Sequence, residues 1–223
     1  MLTAPLKFET GHLYVTLDGN EWLFDTGSPT SFGTVESLDI EGKQFNIPDS
    51  YMGLDAAELS TFAEHPVCGL LGADIINEFY VVINVEKKEV SLSLDEKALE
   101  GNTLEVDHFM GIPLIDAEIA GKSYRMFFDT GAQVSYFQHA SLDAFPSAGP
   151  VTDFYPGYGQ FDTETHLVDV DIGEHTQTLR CGSLPKMLGA ALVMGGAKGI
   201  IGNEIVQRHV VGYFPQSKKM VLS

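Results

Sequence analysis

The feature that most constrains the fold of this chain is an internal repeat. The tetrapeptide Phe-Asp-Thr-Gly occurs at residues 24–27 and again at residues 128–131, an offset of 104 positions. A second block recurs at an offset of 130 positions, where Leu70-Leu71-Gly72 corresponds to Ile200-Ile201-Gly202. Each half therefore carries the same two blocks in the same order, with 26 more residues between them in the second half. Such a repeat predicts two homologous structural units in one chain.

Local patterns predict short β-strands at corresponding places in both halves. In the first half, His12–Leu17 and Trp22–Phe24 flank an Asp-Gly pair, which is typical of a hairpin turn. In the second half, Pro113–Ile119 and Tyr124–Phe128 flank an Ala-Gly pair in the same way. The repeated Asp-Thr-Gly segment follows each hairpin directly.

Helices are predicted at few places, so the fold class is all-β. The best helix sites follow the second repeated block, at residues 73–79 and 203–209. Many short strands with few helices favour a β architecture. We therefore predict two homologous β lobes with a short helix in each, at residues 1–97 and 109–223, joined by a polar linker at 98–108.

The charge balance argues against two classes of partner. Lys and Arg together number 13, whereas Asp and Glu number 31, which gives a formal net charge of −18. A chain this acidic repels phosphate backbones and anionic lipids, so neither nucleic acid nor a membrane surface is a predicted partner. We expect no membrane span, because no apolar stretch approaches the roughly 20 residues that one needs. The first residues hold no apolar run of signal-peptide length, which favours a cytoplasmic location and leaves export open.

The cysteines and histidines predict no metal site. Cys68 and Cys181 form no Cys-x-x-Cys motif, and the seven histidines include no His-Glu-x-x-His motif. The two cysteines are interpreted as small buried thiols, with a disulfide between the halves as the alternative. We expect no cofactor.

A single Asp-Thr-Gly tripeptide is typical of an ordinary turn, but two copies in equivalent contexts are more informative. Both copies follow an apolar strand, and both precede a small residue and a further strand-like run. The chain resembles the aspartic proteases over residues 8–222, and the two copies make it similar to a retropepsin dimer fused into one bilobal, pepsin-related chain. The resemblance implies a monomer that is a pseudo-dimer of two lobes.

The same resemblance implies an aspartic endopeptidase that hydrolyses polypeptide substrates and needs no cofactor. Asp25 and Asp129 would form the catalytic dyad. Two carboxyl groups this close cannot both ionise readily, so they share one proton and titrate as a unit. The ionised carboxyl group would take a proton from a water molecule while the protonated one polarises the scissile carbonyl group.

Residues that follow the two aspartates are predicted to support them. In the family the threonine hydroxyl groups bond across to the opposite loop, and glycine lets backbone N–H groups approach the carboxylates. A serine in the first copy is expected to donate a further hydrogen bond to Asp25, which the alanine in the second copy cannot do for Asp129. The two carboxyl groups are therefore expected to be chemically unequal. The supporting residues are Thr26, Gly27, Ser28, Thr130, Gly131 and Ala132.

The 26 extra residues of the second half predict a flap over the substrate. Aromatic residues flank a Gly-x-Gly centre between the second Asp loop and a later hairpin, which indicates a long hairpin. The family places its substrate-covering flap there, so Tyr155, Gly157, Tyr158 and Gly159 are candidate substrate-binding residues; a plain surface loop is the alternative. The first half has no room for such a hairpin after Phe32, so only the second lobe is expected to carry a flap. Pepsin-like enzymes carry theirs on the first lobe.

Two alternatives to a protease stay open from the sequence. One is a catalytically silent peptide-binding module on the same fold, because a fold does not guarantee its chemistry. The other is a structural domain in which the Asp-Thr-Gly turns arose by chance. The presence of both aspartates and both threonines favours the protease.

Overall fold

The computed structural model describes residues 1–155 and 158–223, and it is built mainly of β-strands, as predicted from the sequence. The first half contains two helices, Ala56–Phe62 (α1) and Ala73–Ile76 (α2). Its strands are Leu2–Glu9 (β1), His12–Leu17 (β2), Asn20–Phe24 (β3), Phe32–Gly33 (β4), Ser37–Ile40 (β5), Lys43–Asn46 (β6), Ser50–Tyr51 (β7), Leu54–Asp55 (β8), Gly69–Leu71 (β9), Tyr80–Asn84 (β10) and Glu89–Ser93 (β11).

The described part of the second half repeats this plan with longer strands. It contains one α-helix, Lys186–Met194 (α3), and short 3₁₀ turns at Leu142–Ala144, Asn203–Gln207 and Pro215–Ser217. Its strands are Asn102–Glu105 (β12), Asp107–Phe109 (β13), Ile112–Ile119 (β14), Lys122–Phe128 (β15), Ser135–Phe137 (β16), Ser147–Tyr155 (β17), Gly159–Ile172 (β18), His175–Gly182 (β19), Gly199–Ile201 (β20), Val211–Phe214 (β21) and Lys219–Leu222 (β22).

Both halves contribute strands to one ten-stranded sheet. Its order is β12-β22-β21-β10-β11-β1-β2-β3-β9-β4. The halves meet where β10 pairs antiparallel with β21, with Val81 opposite Tyr213 and Ile83 opposite Val211. Since these strands bury apolar side chains from both halves in one core, the hydrophobic effect holds the two units together.

The segment predicted to be a linker holds two strands. Strand β12 pairs with β22 at the edge of the ten-stranded sheet, and β13 pairs with β14 in an eight-stranded sheet of the second half. In the first half, the single strand β1 makes the corresponding two pairings. Its residues Leu2–Pro5 pair with β11, and its residues Leu6–Glu9 pair with β2. The segment 98–108 is therefore the structural counterpart of β1 as well as a connection.

The two repeated blocks meet in a threaded arrangement of three strands in each half. Strand β9 lies between β3, with which it is parallel, and β4, with which it is antiparallel. Strand β20 lies between β15 and β16 in the same way. Each central strand is short, apolar and fully buried, as expected for a strand covered on both faces. The repeated Leu-Leu-Gly and Ile-Ile-Gly blocks thus lie directly beneath their own Asp loops.

The predicted hairpin turns are confirmed by their backbone angles. Asp18 and Gly19 have φ of 48° and 77°, and Ala120 and Gly121 have φ of 51° and 73°. Two successive residues with positive φ form the turn that matches the right-handed twist of paired strands. Glycine at the second position allows this conformation at little cost.

The helices differ from those predicted. The segment 73–79 is helical only over α2, and the segment 203–209 forms a 3₁₀ turn instead of an α-helix. Two longer helices, α1 and α3, lie where no helix is predicted. Helix α1 begins at Asp55, whose carboxylate accepts hydrogen bonds from the N–H groups of Ala57 and Glu58 at 2.9 Å each. Helix α3 has almost no polar face, so it lacks the amphipathic period that identifies a surface helix.

Cys68 and Cys181 are free thiols, as predicted, and form no disulfide with each other. Cys181 is buried and Cys68 is half-buried. Burial raises the pKa of each thiol to about 12, so both are protonated at neutral pH. None of the described helices is long and apolar enough to cross a membrane.

The threaded strands generate a prediction about stability. A methyl group on Gly69 would overlap the carbonyl oxygen of Phe32, and one on Gly199 would overlap that of Tyr136. Gly69→Ala and Gly199→Ala should each lower the free energy of unfolding by about 3 kcal/mol, since backbone atoms must move. Gly42→Ala, in an open turn with φ of 78°, should lower it by only about 1 kcal/mol. Urea unfolding measures all three, and equal losses would contradict the packing described.

Candidate active site

The two Asp-Thr-Gly segments meet at the centre of the molecule. Each aspartate stands immediately after the strand that leads to it, β3 or β15. The Asp25 N–H donates to Leu71 O of β9, and the Asp129 N–H donates to Ile201 O of β20, both at 3.0 Å. These bonds continue the parallel pairing by one residue and fix where each carboxyl group begins.

Crossed hydrogen bonds between the two threonines link the loops. The Thr26 hydroxyl donates to Phe128 O at 2.8 Å and accepts from the Thr130 N–H at 3.0 Å. The Thr130 hydroxyl donates to Phe24 O at 2.8 Å and accepts from the Thr26 N–H at 3.0 Å. Both side chains are buried, with 1% and 0% exposure. A buried donor or acceptor without a hydrogen-bond partner costs about 1–3 kcal/mol of stability. The four bonds therefore stabilise one relative position of the two loops.

The carboxyl groups of Asp25 and Asp129 lie side by side, close enough to share a hydrogen bond when one of them is protonated. A methyl group on Gly27 would overlap the carboxyl group of Asp129, and one on Gly131 would overlap that of Asp25. Glycine is therefore required here by the close approach of the opposite aspartate. Its φ is not positive at either position, so conformational freedom is not the reason.

Backbone donors hold the two carboxyl groups almost identically. Oδ1 of Asp25 accepts from the N–H groups of Gly27 at 2.8 Å and Ser28 at 3.1 Å. Oδ1 of Asp129 accepts from the corresponding N–H groups, of Gly131 at 2.9 Å and Ala132 at 3.1 Å. Since both donors of each loop go to Oδ1, the other oxygen remains for the partner carboxyl group and for a bound molecule.

The expected hydrogen bond from the Ser28 hydroxyl to Asp25 is wrong. That hydroxyl donates to Thr30 O at 3.0 Å, within its own loop. Ser28 supports Asp25 through its backbone N–H, as Ala132 supports Asp129. The residue types at these two positions therefore do not make the carboxyl groups unequal.

Burial and mutual repulsion set the titration of the pair. Burial raises the pKa of Asp25, while the hydrogen bond to Asp129 and the backbone N–H groups oppose that rise. Burial also raises the pKa of Asp129, and the charge of Asp25 raises it further, to well above its ordinary value. One proton is thus retained by the pair well above the pH at which an exposed aspartate loses it.

A second layer of side chains fixes each Asp loop from below. The Ser31 hydroxyl accepts from the Gly72 N–H at 2.8 Å, and the Ser135 hydroxyl accepts from the Gly202 N–H at 3.0 Å. The repeat places both serines six residues after an aspartate, so sequence comparison of the halves finds them. Only the first half adds a carboxylate, since Asp74 accepts from the Ser31 hydroxyl at 2.6 Å.

Two polar side chains near the pair escaped the sequence analysis. His12 is buried, and its Nδ1 lies 3.0 Å from Gly131 O, so it braces the Asp loop of the other half. Burial lowers the pKa of His12. Asn203 is also buried, and its Nδ2 donates to Gly11 O at 2.7 Å. Ile112 corresponds to His12 in the other half, so the bond of His12 has no counterpart among the described residues. Gly111 corresponds to Gly11, and its carbonyl oxygen accepts a matching bond from Asn77 Nδ2 at 2.7 Å, although Ala73 is the residue that corresponds to Asn203.

The carboxyl pair lies in a cavity of about 220 Å³ between the two halves. Its lining is mostly apolar, and the walls come from both halves. The first half supplies Leu23 and Leu70, whereas the second supplies Phe127 and Ile200 at the equivalent places, with Leu188 and Leu192 of α3 beside them. A cavity that combines apolar walls with a few polar groups is typical of a ligand-binding site.

A long hairpin of the second half, β17–β18, borders this cavity. Asp153, Phe154 and Tyr155 of β17 line it, together with Phe161 of β18. Of the predicted tip, Tyr155 is thus at the cavity, and the Tyr158 N–H donates to Tyr155 O at 3.0 Å in the turn. Gly159 begins β18 opposite Tyr155. Gly157 lies outside the described residues.

The first half also lines part of the cavity. The short hairpin β7–β8 brings Tyr51 and Met52 to the cavity wall. Its turn at Met52 and Gly53 has φ of 51° and 81°, the same conformation as the other tight turns. The Met-Gly pair was not recognised as a turn because methionine is an unusual residue at positive φ.

Phe154 of the long hairpin contacts the first half. Phe154 stacks on Phe62 of α1, with ring centroids 5.1 Å apart, and lies 5.9 Å from the ring of His12. Gln133 holds the same strand two residues earlier, since its Nε2 donates to Thr152 O at 2.9 Å. The hairpin therefore spans the space between the two halves above the carboxyl pair.

In the described part of the chain, no group of three or more His, Cys, Asp or Glu side chains has the arrangement of a metal site. The candidate site thus consists of two carboxyl groups, backbone donors and apolar walls. These groups can hold and exchange a proton next to a bound ligand.

Comparisons with known proteins were made for sequence and for structure. No protein-family model and no curated protein sequence matches the chain. Among solved structures, it is similar to the crystal structure of aspartic proteinase from Irpex lacteus, with a TM-score of 0.56 and 11% sequence identity over 100% of this chain and 96% of that chain. At this identity the similarity shows the fold alone. The predicted two-lobed, pepsin-like β fold is thereby confirmed.

Proposed function

We propose that this protein is an aspartic endopeptidase in which Asp25 and Asp129 activate a water molecule. The observation that carries the proposal is a pair of adjacent, half-buried carboxyl groups, which the crossed threonines hold in a cavity between the halves. Two carboxyl groups placed side by side and partly removed from water destabilise a folded protein, so a purely structural role explains the pair poorly. The fold similarity to an aspartic proteinase supports the same reading.

The chemistry follows from one proton shared between two carboxyl groups. The ionised carboxylate removes a proton from the water molecule, and the water oxygen attacks the scissile carbonyl carbon. The protonated carboxyl group gives its proton to the carbonyl oxygen, so a neutral tetrahedral diol forms. The protonated carboxyl group then gives its proton to the amide nitrogen, while the other carboxylate removes a proton from one hydroxyl group of the diol. The C–N bond breaks, which yields a carboxylic acid and an amine and leaves the pair singly protonated again.

A polypeptide substrate would lie extended along the hairpin. Strand β17 is an edge strand of the eight-stranded sheet, paired on one side with β18. An edge strand offers backbone N–H and C=O groups to an added strand, and alternate side chains of that strand then point into the cavity. Phe154 and Tyr155 would contact such a substrate from above, and the carboxyl pair from below.

The first prediction concerns the two aspartates. Asp25→Asn and Asp129→Asn should each lower kcat for peptide cleavage about a thousandfold or more, since neither variant can form the singly ionised pair. Asn keeps Oδ1 as the acceptor for the loop N–H groups, so the fold should survive. Asp116→Asn, at an exposed position on β14, is the matched control and should retain full activity. Substantial activity in a correctly folded variant would refute the mechanism.

Activity should follow a bell-shaped dependence on pH. Below the lower apparent pKa of the pair both carboxyl groups are protonated, so no base is present; above the upper one both are ionised, so no acid is present. Because burial raises the pKa of both groups, we expect an acidic to mildly acidic optimum. Initial rates on a denatured protein between pH 3 and 8 test this. An optimum above pH 7, in a protein shown to be folded at pH 5, would contradict it.

The raised pKa of Asp129 also predicts how stability changes with pH. A carboxyl group whose folded pKa exceeds its unfolded pKa gives the folded state most support below about pH 4, and this support is lost as pH rises through the folded pKa. Asp129→Asn should therefore raise Tm relative to the original protein at pH 7, and the gain should shrink towards pH 4. Scanning calorimetry at both values measures it. A gain that grows on acidification would be inconsistent with the raised pKa.

A further inference from the structure

A third carboxyl group lies in the same cavity as the pair. Asp153 belongs to β17, is only 7% exposed and lines the cavity between the halves. No repeat pointed to it, because the long hairpin has no counterpart in the first half. The mechanism proposed above does not use it.

The partners of Asp153 are few and neutral. The Tyr136 hydroxyl donates to Oδ2, and the N–H of the adjacent Phe154 donates to Oδ1 at 2.8 Å. Among the described residues, none of the ion pairs includes Asp153. His12 is the nearby side chain able to carry a positive charge, and burial disfavours its charged form.

A buried carboxylate in these surroundings lacks a counter-charge. A carboxylate can accept about four hydrogen bonds, and the described residues supply two donors to Asp153. Removing a carboxylate from water without a cationic partner is costly. The remaining acceptor capacity of Asp153 is open to a cationic group entering the cavity.

Aromatic walls beside Asp153 fit a long aliphatic side chain that ends in a charge. Phe161 is directly opposite Asp153 in the β17–β18 pairing, and its ring centroid lies 6.2 Å from that of Tyr136. Leu184 and Leu188 continue the apolar wall. Lysine and arginine bury their methylene groups on such surfaces and keep the charged end at a polar partner. The net charge of −18 also attracts cationic segments.

We propose that Asp153 is a specificity-determining residue that selects a lysine or arginine side chain in the substrate, next to the bond that is cut. This inference rests on the proposed peptidase function and adds a class of substrate to it. The cationic end would bind Oδ1 or Oδ2 of Asp153, while Tyr136 and Phe161 enclose the methylene groups. The substrate thereby supplies the counter-charge that the protein lacks at this carboxylate.

The test compares two peptides that differ in one charge. The first step maps the cleavage sites in a denatured protein, and a peptide is made with lysine or norleucine at the preferred position beside the cut. Norleucine has the same methylene chain without the ammonium group. The original protein should cleave the lysine peptide with a kcat/KM about 30-fold higher, and Asp153→Asn should remove this difference.

A matched control separates the position of the charge from its presence. Asp162→Asn removes the same charge from an exposed position on the same hairpin and should retain the lysine preference. If Asp153→Asn fails to fold, the original protein alone still tests the proposal. It should cleave a peptide with glutamate at the same position more slowly than the norleucine peptide. Equal rates for the lysine and norleucine peptides in the original protein would overturn the proposal.

A binding measurement distinguishes this proposal from the proposed function. Fluorescence anisotropy of labelled peptides is measured with Asp25→Asn, and again after Asp153→Asn is added to it. Tighter binding of the lysine peptide, lost in the double variant, supports selection by Asp153 even if the original protein cleaves nothing. Absence of cleavage by the original protein would refute hydrolysis alone. Equal binding of both peptides would refute the role of Asp153.

Discussion

The crossed hydrogen bonds of Thr26 and Thr130 are the interaction on which the rest of the site depends. Two carboxyl groups repel each other when both are ionised, and burial adds a desolvation cost. The threonine bonds oppose this separation, because each hydroxyl both donates to and accepts from the other half. Since all four bonds are buried, the loops cannot drift apart without leaving polar groups unsatisfied. The shared ten-stranded sheet then holds the larger units in the positions that these short bonds require.

The meeting of the two Asp-Thr-Gly loops could be predicted from the sequence, because the same two blocks occur in each half. Residues 24–27 and 128–131, with the two later Gly-containing blocks, lie where a two-lobed fold needs them, and the hairpins around them follow short-range turn rules. The helices were predicted less well: α1 depends on a cap at Asp55, and α3 is apolar on nearly all sides. Neither gives the regular amphipathic pattern on which helix prediction depends.

Residues that act across the two halves were beyond reach of the sequence. His12 supports Gly131 from 119 positions away, and Asn203 bonds Gly11 from 192 positions away. Both sit at places where the halves differ in residue type, so the repeat that identified the centre concealed them. The expected role of the Ser28 hydroxyl failed for a related reason. A local alternative, Thr30 O, was available to that hydroxyl, and short-range hydrogen bonds of serine compete with longer ones.

The cavity thus has a nearly symmetrical floor, formed by the two Asp-Thr-Gly loops, and an unsymmetrical roof, formed by the hairpins β17–β18 and β7–β8. On the floor, the distances from loop N–H groups to the two aspartates differ by no more than 0.1 Å between the halves. Above it, β17–β18 has eight or more residues in each strand, whereas β7–β8 has two in each. A symmetrical carboxyl pair can exchange acid and base roles during a reaction, because either group can hold the proton. A peptide substrate of the kind proposed has a direction and must be bound in one orientation. The side chains that differ between the halves, Asp153 and Phe154 of the roof among them, are the groups that can distinguish its two directions.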